Sequence, residues 1–189
     1  MKKLFLLIIY IMCANAQAQN LALYFELIPE ELVTFIKPEM RRSRIDTISD
    51  NFLSMHTSKI STLDIKMIPI ESDTTNILTV IQSVETVGTV DSSIKFYTNT
   101  WSRLPLEKYF STPTYEDFYQ ANDSVSLEEF SKFCIPFLVS YKFEGENIVA
   151  SIDPEKYLPV EQYKKISPAF TKKPVTYIWS KEERWDKVK

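Results

Sequence analysis

Carboxylates set among aromatic rings are the residues in this chain best suited to chemistry. Glu116 and Asp117 lie between Tyr115 and the Phe118-Tyr119 pair. Two carboxyl groups can serve as acid and base on a glycosidic bond, and aromatic rings suit the faces of a sugar. The same letters also read as a solvated helix start with Phe118 packed inward, and Asp153-Pro154-Glu155 reads as a turn. Other chemistries have less to work with. His56 is the only histidine; it stands in no H-x-x-x-H spacing and beside no cysteine pair, so no zinc site is expected. A serine triad would have to use it, and no nucleophile signature accompanies it. Gly88 and Gly145 are the only glycines, too few for a phosphate loop, a dinucleotide fingerprint or a nucleophile elbow. Asp73 and Asp123 fall outside any calcium-loop pattern. The expectation is therefore no metal and no cofactor.

Recognition is favoured over catalysis. Aromatic residues make up 13% of the chain, and rings with polar tips are enriched at binding surfaces, though they pack equally well in cores. The expected binding face is Tyr97, Trp101, Tyr115, Tyr119, Trp179 and Trp185. Its partner would be a protein, peptide or glycan of the cell envelope. The alternative is a carboxylate-dependent hydrolase acting on an envelope or dietary polysaccharide. Nucleic acid is not expected: the net charge is −3, and Arg41, Arg42 and Arg44 with Lys37 form the one basic cluster, which reads as a solvated helix face.

The first 18 residues read as a signal peptide. Lys2 and Lys3 precede an apolar run from Leu4 to Cys13, and the small-x-small sites Ala14-Asn15-Ala16 and Ala16-Gln17-Ala18 follow. The run is too short to span a bilayer, which takes about 20 residues. Cleavage after Ala16 or Ala18 would release a protein to the periplasm or the medium, with no membrane span in its mature part. Losing Lys2 and Lys3 and no acid makes the net charge two units more negative than −3. Cys13 leaves with the signal, and Cys134 beside Phe133 and Ile135 reads as a buried small hydrophobe.

The elements that must position these residues follow from periodicity. Leu21, Tyr24, Phe25, Ile28, Leu32, Phe35 and Ile36 recur at helical spacing, with Pro29 splitting two short helices. Pro38 starts another helix, expected to reach about Ser49, and residues 51–58 are the expected first strand. In residues 61–70 Leu63, Ile65 and Met67 alternate with Thr62, Asp64 and Lys66, the pattern of one buried and one wet sheet face. Residues 76–86 are apolar on both parities, hence a central strand, and 94–104 form a fourth. The short connections between these strands make the sheet antiparallel. Ser126 and Glu129 form a capping box, with Val125 and Phe130 as its staple. A hairpin whose first strand is 137–143 turns at residues 144–147, Pro159 opens a helix carrying a Glu161 to Lys165 pair, and a closing hairpin runs from a strand over 174–180 back through Arg184 to Val188. The fold class is α+β: N-terminal helices on an antiparallel sheet over 19–110, then a second helix-and-hairpin half over 111–189 packed with the first. The closing aromatic strands of the two halves are alike in plan, so tandem helix-plus-sheet units are an open alternative.

LYFELIPEELVTFI, STLDIKMIPI, IKFYTNTWSRLPL followed by PTYEDFY, SVSLEEF and YLPVEQYKKISP before PVTYIW together resemble a family of secreted Bacteroides-type proteins, domain of unknown function 3256. That resemblance implies export from a Gram-negative cell and supplies no catalytic residue. The plan also resembles the β-lactamase-inhibitor-like folds, in which two such units present a concave sheet surface.

Overall fold

A computed structural model describes residues 21–70, 75–86 and 88–188; the expected signal peptide and the Asp73 turn lie outside them. The chain is α+β and mostly sheet. Strands β1 (Ile45–Ile48), β2 (Phe52–His56), β3 (Ser61–Pro69), β4 (Asn76–Thr86), β5 (Thr89–Thr98) and β6 (Arg103–Leu104) lie side by side in chain order, every pair antiparallel. A second antiparallel sheet has the order β10-β9-β8-β7, from β7 (Ser140–Glu144), β8 (Asn147–Ser151), β9 (Val175–Trp179) and β10 (Trp185–Lys187). The helices are short: α1 (Leu21–Phe25), α2 (Pro38–Arg41), α3 (Leu106–Tyr109), α4 (Leu127–Phe133), α5 (Pro154–Tyr157) and α6 (Val160–Ile166), with 3-10 turns between them. Among the described residues no helix is long and apolar enough to cross a membrane.

β4 is the central strand that its two apolar parities require, and it divides two cores. Leu78 and Val80, with Leu63, Ile65 and Met67 of β3 and Leu53 and Met55 of β2, face the N-terminal segment. Ile77 and Ile81, with Ile68, Ile94 and Phe96, face the second sheet and its helices. The second sheet crosses the first. Ser92 N–H of β5 donates to the Val139 C=O at the start of β7 (2.8 Å), and at the far end Lys66 Nζ of β3 donates to the Gly145 C=O of the β7–β8 turn (2.6 Å). Phe143 then meets Phe52 of β2, ring centroids 5.9 Å apart.

Lys66 corrects the expectation of a wet face on β3. It is 4% exposed, because the β7–β8 hairpin lies over it, and Glu146 pairs with its ammonium at 2.8 Å. The N-terminal stripe is rotated relative to the helical reading. Leu21, Phe25, Ile28, Leu32, Val33 and Ile36 are buried, while Phe35 is 95% exposed. The 3-10 turn at Glu30–Leu32 has three residues per turn, which brings Val33 inward in place of Phe35.

The helix expected to run to Ser49 ends at Arg44, since the β-branched Ile45, Thr47 and Ile48 pair with β2 as an edge strand. Residues 52–56 are therefore the second strand of the sheet. The expected strand 94–104 starts earlier, at Thr89, and breaks at Thr98. Thr98 Oγ1 accepts from the N–H groups of Thr100 and Ser102 (3.3 and 3.1 Å), and Trp101 takes a left-handed φ of 62°. That backbone is unfavourable for a large residue by about 1–2 kcal/mol. Burial of the indole, whose Nε1–H donates to the Tyr24 C=O at 2.8 Å, offsets it. In the second half the capping box at Ser126 and Glu129 forms, with Val125 and Phe130 buried. Strand pairing begins at Ser140, and Glu161 pairs with Lys164 while Lys165 lies over the Phe133 ring.

Candidate functional site

The six aromatic residues expected to share a binding face do not form one. Tyr97 and Trp101 stack edge to face at 5.6 Å in the core under the N-terminal helices. On the other side of the first sheet Trp185 and Phe130 are in the core, and three half-buried rings pack against it: Trp179 pairs with Trp185 at 5.5 Å, and Tyr115 and Tyr119 flank Phe130. Tyr97, Trp101 and Trp185 are 1%, 9% and 0% exposed. The physical reason is β4: it buries both faces of the sheet, so closing strands bring their rings to two interiors. Of the two candidate acids, Glu116 is exposed and Asp117 is spent locally. Asp117 caps the turn at Tyr115–Phe118, accepting from Thr114 N–H at 2.6 Å, and pairs with Lys187 at 2.7 Å.

What the fold leaves open is one end of the first sheet. The second sheet covers Ile68, Ile77, Ile81, Ile94 and Phe96; beyond it the same face carries polar residues, Ser54 and His56 on β2, Thr62 and Asp64 on β3, Ser83 and Glu85 on β4. A cleft of about 340 Å³ opens there. Its floor includes His56, Thr62, Asp64, Ser83 and Glu85, Lys59 and Ile60 stand at its rim, and its wall is Ser140, Tyr141, Lys142 and Phe143.

That wall is four consecutive residues of one strand. Side chains alternate faces along a strand, so four consecutive residues lining a cleft fit a strand that presents its backbone edge to it. The register agrees. Glu144 and Asn147 flank the two-residue turn and form a hydrogen-bonded pair, which makes Tyr141 and Phe143 members of non-bonded pairs with Ala150 and Ile148. Their N–H and C=O groups point away from β8, toward the cleft, as the Val139 C=O does where it accepts from Ser92. β7 is the edge of its sheet on this side.

Asp64 is the half-buried acid of the floor. Ser54 Oγ donates to its Oδ1 at 2.6 Å. Burial pushes its carboxyl pKa up, the Ser54 hydroxyl opposes this, Asp46 adds to the rise and His56 subtracts from it. His56 itself points to Asp46, Nε2 to Oδ2 3.4 Å. Ser54, His56 and an aspartate thus lie together, but the hydroxyl is hydrogen-bonded to the carboxylate and not to the imidazole, the wrong order for a nucleophile activated by histidine. No sequence motif marks this group. Its signal was the alternation itself, which puts Ser54, His56, Thr62 and Asp64 on one face; nothing local shows that a second sheet stops short of them.

Comparison with known proteins adds a family and a fold. The family described as "Protein of unknown function (DUF3256)" matches over residues 37–184. A solved structure, that of a domain of an uncharacterized protein from Porphyromonas gingivalis W83, superposes with a TM-score of 0.76 at 18% identity, covering 89% of this chain and 97% of that one. No curated protein matches. Identity that low speaks for the fold alone.

Proposed function

The chain belongs to the DUF3256 family, and we propose that it is an exported, noncatalytic binding protein of the cell envelope, capturing an extended polypeptide segment as an added strand along β7. The observation that carries this reading is the free edge: Tyr141 and Phe143 direct their backbone groups into a cleft floored by the uncovered end of another sheet. An unpaired edge is a template for strand addition, in which main-chain hydrogen bonds supply affinity and alternate side chains supply specificity. The volume of the cleft suits a short segment, and its lining mixes apolar surface with charged groups of both signs. Export rests on the charged, apolar and small-residue order of residues 1–18.

Both parts are tested by expressing the gene in a Gram-negative host and panning the recovered protein against displayed random peptides. The exported chain is expected to begin at Gln17 or Gln19. Enriched peptides are expected to be extended and β-branched at alternate positions, and to bind weakly to a Phe143→Pro variant, which lacks one of the outward N–H groups. A cytoplasmic chain that retains Met1 contradicts export. Peptides that bind wild type and Phe143→Pro equally place the contact elsewhere and contradict strand addition.

A further inference from the structure

This inference rests on capture along β7 and concerns what the captured segment must carry. A strand laid on β7 stands over β3 and β4, with every second side chain directed at the floor. There Asp64 is half-buried and Glu85 is exposed. The titratable and charged groups around Asp64 are Asp46 from β1, His56 from β2, Glu85 from β4, Lys142 from β7 and Lys59 from the turn before β3. Among the described residues none makes an ion pair with it: His56 is turned to Asp46, and the hydrogen bond that Asp64 receives comes from the uncharged Ser54 hydroxyl. A carboxylate held away from water without a cation is a standing cost to the folded protein, and an ammonium or guanidinium brought in by a ligand would remove that cost.

We propose that Asp64 is the specificity-determining residue of the cleft and selects a segment with a lysine or arginine opposite it. The sign of the pH dependence follows. The folded-state pKa of Asp64 is raised, so a bound cation must hold the carboxyl ionised, and its advantage fades as pH falls through that raised value. The same sign makes Asp64→Asn harmless to folding at neutral pH, which suits it as a test variant.

The probes are short blocked peptides of alternating threonine and valine, with lysine, glutamine or glutamate at the centre, titrated against wild type and Asp64→Asn. Lysine is expected to bind about tenfold tighter than glutamine, and glutamate most weakly. In Asp64→Asn lysine and glutamine are expected to become equal, with the unfolding midpoint unchanged or higher. In wild type the lysine advantage is expected to shrink between about pH 7 and about pH 4. A lysine preference that survives in Asp64→Asn, one that ignores pH, or none in wild type overturns the role of Asp64 while leaving strand addition standing. Failure of every peptide to bind wild type overturns both.

Discussion

Trp185→Ala is expected to destabilise the protein by about 3–5 kcal/mol, the range for deleting a fully buried aromatic ring. Trp185 lies in β10, yet it reaches the first sheet: its Nε1–H donates to Thr79 Oγ1 of β4 at 3.2 Å, and both residues are 0% exposed. Its ring also packs on Trp179 and Phe143, and its backbone bridges Phe110. Removing it leaves a cavity where the sheets cross and strips a buried hydroxyl of its donor. Trp185→Phe keeps most of the volume and loses the donor, so about 1–2 kcal/mol is expected. Urea unfolding followed by far-UV circular dichroism reads both. An alanine variant as stable as wild type would mean that the second sheet does not rest on the first through this residue.

Lys66→Ala is expected to cost about 2–4 kcal/mol, and Lys66→Met to restore more than half of it. The stem of Lys66 is buried between β3 and the β7–β8 hairpin, so alanine removes packing as well as charge. It also leaves the Gly145 C=O without the ammonium that meets it at 2.6 Å. Methionine refills the space, and Glu146, whose side chain is 82% exposed, returns to water. Methionine no better than alanine would assign the effect to the charge alone. The position of β7 over the open end of the first sheet depends on this contact, so Lys66→Ala is expected to weaken peptide capture even where it remains folded.

The sheet was legible from residues because its signals are local. The strict alternation of β3, the double parity of β4 and the capping box at Ser126 each specify their element without reference to distant chain. The site was not, because it is made by an edge of one sheet stopping partway across the face of another. On β3 the sequence shows Thr62, Asp64 and Lys66 as equals on one polar face; the structure buries Lys66 under the hairpin, leaves Asp64 half-dry in a cleft and keeps Thr62 at its floor. The same blindness misled the aromatic residues. Their number marks a large interior, and only the two-sided burial of β4 decides that Tyr97 and Trp101 belong to one core and Trp179 and Trp185 to the other.

The free edge of β7 carries the proposed binding, and amide hydrogen exchange of β7 resolved residue by residue, with and without a panned peptide, tests it most directly. Strand addition predicts protection with a period of two: the amides of Tyr141 and Phe143 slow on binding, while those of Ser140, Lys142 and Glu144, which already face β8, change little. Uniform change along β7, or protection confined to other strands while Tyr141 and Phe143 exchange as before, would contradict it.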